Sequence, residues 1–140
     1  MDPITRLVEI EAIKQLKARY QRAVDTKDWD LYRTLFTADA HIDYTAAGGI
    51  EGSVDEVVSW LATTMEMFSA TQHLVSNEMV TIDGDTATVR AMFFNPMHFA
   101  GDDAPSFECG GWYNHELIRH GDGWRSVRLW EDVSWTTLGT

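Results

Sequence analysis

The apolar residues of this chain change their period once, near residue 70, and that change constrains the fold more than any other feature. Ahead of it, Ile10, Ile13, Leu16, Tyr20 and Ala23/Val24 recur at steps of three and four, with Lys14, Lys17, Arg19 and Arg22 between them. This spacing predicts an amphipathic helix over residues 4–24, opened by Asp2 as N-cap and Pro3 in the first turn. Asp28 starts a short second helix carrying Trp29, Leu31, Tyr32, Leu35 and Phe36, with Asp25 at the joint. His41 to Thr45 reads as a short strand and Gly48-Gly49 as a tight turn back. Ser53 and Glu56 form a capping box, behind which Val54, Val57, Val58, Leu61, Met65 and Phe68 make the stripe of a third helix.

Beyond residue 70 the period is two. Strands are expected over Gln72–Ile82, Thr86–Phe99, Phe107–His120 and Trp124–Trp135. Asp83-Gly84-Asp85 and Gly121-Asp122-Gly123 serve as hairpin turns, Gly101 to Pro105 as a polar loop, and Pro96 as an edge or bulge. A sheet of long antiparallel strands must cover one face, and three helices placed before and between the strands can do so. The expectation is an α+β cone, a single domain over residues 1–140. A curved antiparallel sheet wraps the N-terminal helices and encloses an apolar pocket of the kind that binds small molecules.

Charge excludes several partners. Asp and Glu outnumber Lys and Arg 22 to 11, and no Lys or Arg stands between Arg33 and Arg90. Nine acidic residues fall in that gap, from Asp39 to Asp85. Such a surface repels phosphate backbones and anionic membranes, so neither nucleic acid nor membrane is an expected partner. Cys109 is the only cysteine, which leaves no intramolecular disulfide and no cysteine-based zinc site. The charged N-terminus and the lack of a roughly 20-residue apolar run argue for a cytoplasmic protein.

The element order and the run Val24-Asp25-Thr26-Lys27-Asp28-Trp29-Asp30-Leu31 resemble the SnoaL-like group of the nuclear-transport-factor-2-like superfamily. Within that group the closest likeness is to the scytalone dehydratases. His41-Ile42-Asp43-Tyr44, Thr71-Gln72-His73 and Asp122-Gly123-Trp124-Arg125 add to the likeness. The resemblance implies a cofactor-independent lyase in which an aspartate after the first helix pairs with a histidine on the first long strand. A tyrosine holds a water beside them. These positions fall on Asp25, His73 and Tyr44, and hexachlorocyclohexane dehydrochlorinases look similar at the same Asp–His pair. Three departures stand out. Val24 replaces a second tyrosine of the dehydratases, Glu108-Cys109-Gly110-Gly111 runs where they carry a second histidine, and Tyr20 stands where the dehydrochlorinases carry a lysine.

The residues themselves admit this chemistry. An Asp accepting from one imidazole nitrogen fixes the tautomer and leaves the other nitrogen as a base, which after the transfer can serve as the acid for a departing hydroxyl. The same two residues equally suit a helix cap and a core histidine. Tyr44 and Tyr20 offer phenolic donors to a developing oxyanion. Asn77, which shares strand parity with His73 and Met79, and Asn95 are amide candidates. Glu108 could replace the missing histidine as a proton carrier. Asp43, one residue before Tyr44, is expected to face outward. His115 and His120 lie five apart on a strand and cannot share a metal, and no metal or cofactor is expected. Met65, Phe68, Met79 and Phe93 suit the wall of a pliable pocket.

The reading is a dehydratase-like elimination on a hydrophobic cyclic or aromatic carbonyl compound. An isomerase or cyclase using the same pair, or a non-catalytic binding protein, is the alternative. Trp112, Trp130 and Trp135 on an exposed sheet face imply a homodimer or homotrimer.

Overall fold

A computed structural model describes residues 1–101 and 105–137. The first helix, α1 (Pro3–Asp25), is capped by Asp2, whose carboxylate accepts from the Ile4 and Thr5 backbone N–H groups. Asp28 likewise caps α2 (Trp29–Thr34). A strand β1 (Phe36–Asp43) follows, then a 3-10 turn over Thr45–Ala47 and the short β2 (Glu51–Ser53). Both halves of the predicted capping box form at the start of α3 (Val54–Thr64). A 3-10 turn at Met65–Met67 ends that helix early and leaves Phe68 to open β3 (Phe68–Thr71). The long strands are β4 (Leu74–Asp83), β5 (Thr86–Phe99), β6 (Ser106–His120) and β7 (Gly123–Thr136).

The strands form one curved, unclosed sheet in the order β2-β1-β7-β6-β5-β3, with β4 also paired to β5. Ile13, Leu16, Tyr20, Ala23 and Val24 of α1 and Val57, Val58 and Leu61 of α3 are buried in the core against Val89, Phe93, Leu117 and Leu129 of the sheet. The α+β cone is therefore the fold, with three local differences from the sequence reading. β1 begins at Phe36 rather than His41 and runs parallel to β7, so the sheet is not wholly antiparallel. The strand expected over Gln72–Ile82 begins instead at Leu74, and Gln72 and His73 form a joint between β3 and β4. The polar loop expected over 101–105 falls mostly outside the described residues.

The third difference is a bulge in β4. Its pairing with β5 shifts between Ser76 and Met79, and Asn77 takes a left-handed backbone, φ 54°. An inserted residue reverses the alternation of a strand. Val75 faces inward before the bulge, whereas Glu78, Val80 and Ile82 do so after it.

Gly110 and Gly111 mark another shift, between β6 and β7. A Cβ on Gly111 would meet the Asp132 carbonyl oxygen at 2.0 Å, a backbone atom that can yield only by moving β7. Gly111→Ala is expected to destabilise the protein by about 3 kcal/mol, measurable by urea unfolding. An unchanged midpoint would show that β7 sits farther away in solution.

Among the described residues no helix is long and apolar enough to cross a membrane, and no cluster of three His, Cys, Asp or Glu residues could hold a metal ion.

Candidate active site

Asp25, the last residue of α1, points its carboxylate at the joint between β3 and β4 and accepts three hydrogen bonds there. Its Oδ1 receives Thr71 Oγ1 at 2.9 Å and lies 2.5 Å from His73 Nδ1; its Oδ2 receives the His73 backbone N–H at 2.8 Å. A carboxylate at Nδ1 places the ring proton there and leaves Nε2 as the nitrogen with a lone pair. His73 is 8% exposed and lines a cavity of about 230 Å³. For comparison, a dry apolar cavity of about 150 Å³ takes up benzene. There is room here for a ring with substituents or a small fused pair of rings.

Val24, Leu61, Met65, Phe68, Phe99 and Phe107 supply apolar wall, as the sequence reading asked of Met65 and Phe68. Tyr20 and Tyr44 also line the cavity, and their hydroxyls are in hydrogen-bond contact. Tyr32 OH joins Tyr44 OH at 2.8 Å. Tyr113, whose hydroxyl also bonds Tyr20, extends the group; of these phenols Tyr20, Tyr44 and Tyr113 border the cavity and Tyr32 lies behind them. Burial holds Tyr20 and Tyr44 well above the usual phenol range, keeping them protonated donors. The Cys109 thiol lines the cavity too, but burial pushes it up to about 12, which makes it an inert neutral group.

Of the other expected site residues, Asn95 lines the cavity and the rest lie elsewhere. Beyond the β4 bulge, Met79 is 67% exposed, and Asn77 is exposed with its amide on Met92 Sδ. The parity shared with His73 does not hold, because His73 precedes the strand and the bulge turns the later residues over. Glu108 is on the opposite side of β6 from the inward Phe107 and Cys109, with its backbone tied to Thr137. Phe93 is buried but does not line the cavity; it stacks on Tyr113, which does, at 4.4 Å. Asn95 lines the cavity and donates to Tyr113 OH at 2.9 Å. Asp43 binds its neighbour Thr45 and stays outside the lining.

Two buried charged side chains were not singled out from the sequence. Lys17, read there as part of a polar face, is 1% exposed, with Nζ 2.7 Å from His115 Nε2 and 4.3 Å from the Tyr20 ring centre. Its spacing from Ile13 and Tyr20, four and three residues, already puts it on the buried stripe. The hydrogen bonds run in one direction: Lys17 donates to His115 Nε2, His115 Nδ1–H to Ser126 Oγ, and Ser126 to the Arg128 carbonyl. Burial pulls Lys17 down to about 7 and keeps His115 neutral. Glu131 of β7, two residues on from the buried Leu129 and so on the inward face, lines the cavity.

The sequence matches the SnoaL-like domain family over residues 5–129, and the chain belongs to that family, within the nuclear-transport-factor-2-like superfamily. An uncharacterized protein of Mycobacterium tuberculosis is 42% identical over 116 residues, covering 83% of this chain and 79% of the relative. A protein of Kribbella flavida of solved structure superposes with a TM-score of 0.86 at 27% identity, over 95% of both chains. A Novosphingobium aromaticivorans protein provisionally described as a scytalone dehydratase gives 0.87 at 22% identity, over 97% of this chain and 91% of that one. A hexachlorocyclohexane dehydrochlorinase gives 0.82 at 19%, over 97% and 92%. The last two likenesses concern the fold.

Proposed function

We propose that the protein is a cofactor-independent lyase that removes a β-substituent from a small cyclic or aromatic carbonyl compound. The observation that carries this reading is the Asp25–His73 hydrogen bond at the wall of an apolar cavity. His73 Nε2 takes the proton next to the carbonyl. Asp25 holds the ring through Nδ1 and supports the imidazolium that forms. A cavity-lining hydroxyl of the tyrosine group donates to the carbonyl oxygen as it gains charge. Solved neighbours described as a dehydratase and a dehydrochlorinase support the class.

The test is incubation with the β-hydroxy derivative of α-tetralone, which becomes α-naphthol on losing water. Product lighter by one water, formed faster than in buffer, is the expected result. A product of unchanged mass would instead place the enzyme among isomerases or cyclases, since these share the enolate step. Binding without turnover across a panel of such ketones would make it a binding protein.

A second copy of the chain is the proposed cover for the outer face of the sheet. Leu74, Met92, Phe94 and Trp135 are exposed together there, with Trp135 at 45%, whereas Trp112 and Trp130 lie under Arg90 and Arg128. Sedimentation of a monomer at micromolar concentration would refute that assembly.

A further inference from the structure

Elimination needs a base for the departing proton, and some leaving groups also need an acid. Chloride departs as a stable anion, whereas hydroxide must be protonated as it goes. The cavity lining holds five titratable groups besides His73: Tyr20, Tyr44, Tyr113, Cys109 and Glu131. The phenols are held well above their ordinary range and the thiol at about 12, which makes them weaker acids than the Glu131 carboxyl. His73 gains a proton to give only as the C–H bond breaks, whereas a neutral Glu131 carries one from the start.

Its surroundings fit that task. Glu131 is 8% exposed, and its Oε1 is buried with no hydrogen-bond partner. Among the described residues no lysine, arginine or histidine lies within ion-pair distance of it. An ionised carboxylate so placed carries a large desolvation cost, whereas a neutral carboxylic acid does not. Several titratable groups face it from the elements around. α1 presents Lys17 and Tyr20, α2 Tyr32, β1 Asp43, and β6 Cys109 and Tyr113, the last its register partner. Tyr44 completes the lining nearby. Only Lys17 favours the anion; burial and Asp43 oppose it and carry Glu131 up to about 8. β7, which holds Glu131, is three strands from β3 in the sheet, so acid and base stand on different walls of one cavity.

We propose that Glu131 is the catalytic acid that protonates the departing group, and that the cavity is therefore built for substrates that lose a hydroxyl rather than a halide. The assignment rests on the elimination reading above. The C–H bond breaks as its proton passes to His73 Nε2, and the electron pair forms the new C=C bond. The C–O bond breaks as its oxygen takes the Glu131 proton and leaves as water. Solvent then returns a proton to Glu131 and removes one from His73.

The experiment compares Glu131→Gln with the wild type on two probes, the β-hydroxy and β-chloro derivatives of α-tetralone. Gln keeps the shape and a hydrogen-bond donor but cannot transfer a proton. kcat/KM on the hydroxy probe is expected to fall about a hundredfold, with little change on the chloro probe. Difference infrared spectra at pH 7 should show a protonated carboxyl stretch in the wild type that is missing from the variant. Equal effects on both probes, an unaffected hydroxy probe, or an ionised Glu131 in an active enzyme would each overturn the proposal while leaving the His73 base in place. A wild type that turns over neither probe, or one whose turnover His73→Ala leaves unchanged, would refute the elimination reading and this assignment with it.

Discussion

His73→Ala is expected to lower kcat/KM on a β-hydroxy ketone by about a thousandfold or more, the scale of a lost general base. Folding should barely change, because the ring lies at the cavity edge and the backbone N–H of residue 73 keeps its bond to Asp25. Asp25→Asn separates the two parts of the arrangement. The carboxylate accepts three hydrogen bonds through two oxygens, whereas an amide has one oxygen and an NH2 that cannot accept. Either the His73 backbone N–H or its ring Nδ1–H loses its acceptor. Activity should fall by a comparable factor, with an added loss of about 1–3 kcal/mol in stability for the unpaired buried donor. Steady-state kinetics paired with thermal melts measures both. Full activity in the Asp25→Asn variant would mean that the carboxylate only fixes the chain.

The second large effect concerns stability against pH. Glu131 releases its proton near 4.5 in an unfolded chain and near 8 in the folded one. Between those values the folded state binds more protons, so its contribution is fully present below 4.5 and is lost as pH rises through 8. The slope is at most about 1.4 kcal/mol per pH unit. Lys17 does the opposite. It keeps its proton to about 10.5 when unfolded but only to about 7 when folded, so its contribution grows as pH rises from 7 to 10.5. Glu131→Gln abolishes the first contribution. Relative to wild type it should gain on the order of 3 kcal/mol between pH 5 and pH 8, read from urea unfolding at several pH values. A difference that stays constant with pH would show that Glu131 titrates alike in both states.

Local signals carried much of the architecture into the sequence. Asp2, Asp28 and the Ser53–Glu56 box each cap the helix they predict, and the two Gly-containing turns sit between β4 and β5 and between β6 and β7. Placement of Asp25 beside His73 was another matter. The two are 48 residues apart, and only the family likeness suggested that they meet. Asn77 and Met79 went astray because one residue in a left-handed conformation reverses every side chain beyond it. Lys17 looked solvated because ammonium groups usually are, although its helical position was that of a core residue. Glu131 had the right alternation with Leu129, yet a carboxylate on a strand is ordinarily read as exposed. In both cases the geometry was visible in the pattern, and the chemical prior argued against it.

The parallel pairing of β1 with β7 also governs when the cavity can exist. Phe36 pairs with Ser126, 90 positions later, so this is a contact with a high loop-closure entropy. Tyr44 and its 3-10 turn come directly after β1, and Glu131 belongs to β7. A ribosome must therefore deliver the chain through β7 before the two walls can face each other. Until then the hairpins of β4 to β6 present their inner apolar faces to water, during the interval when chaperone binding or self-association competes with folding.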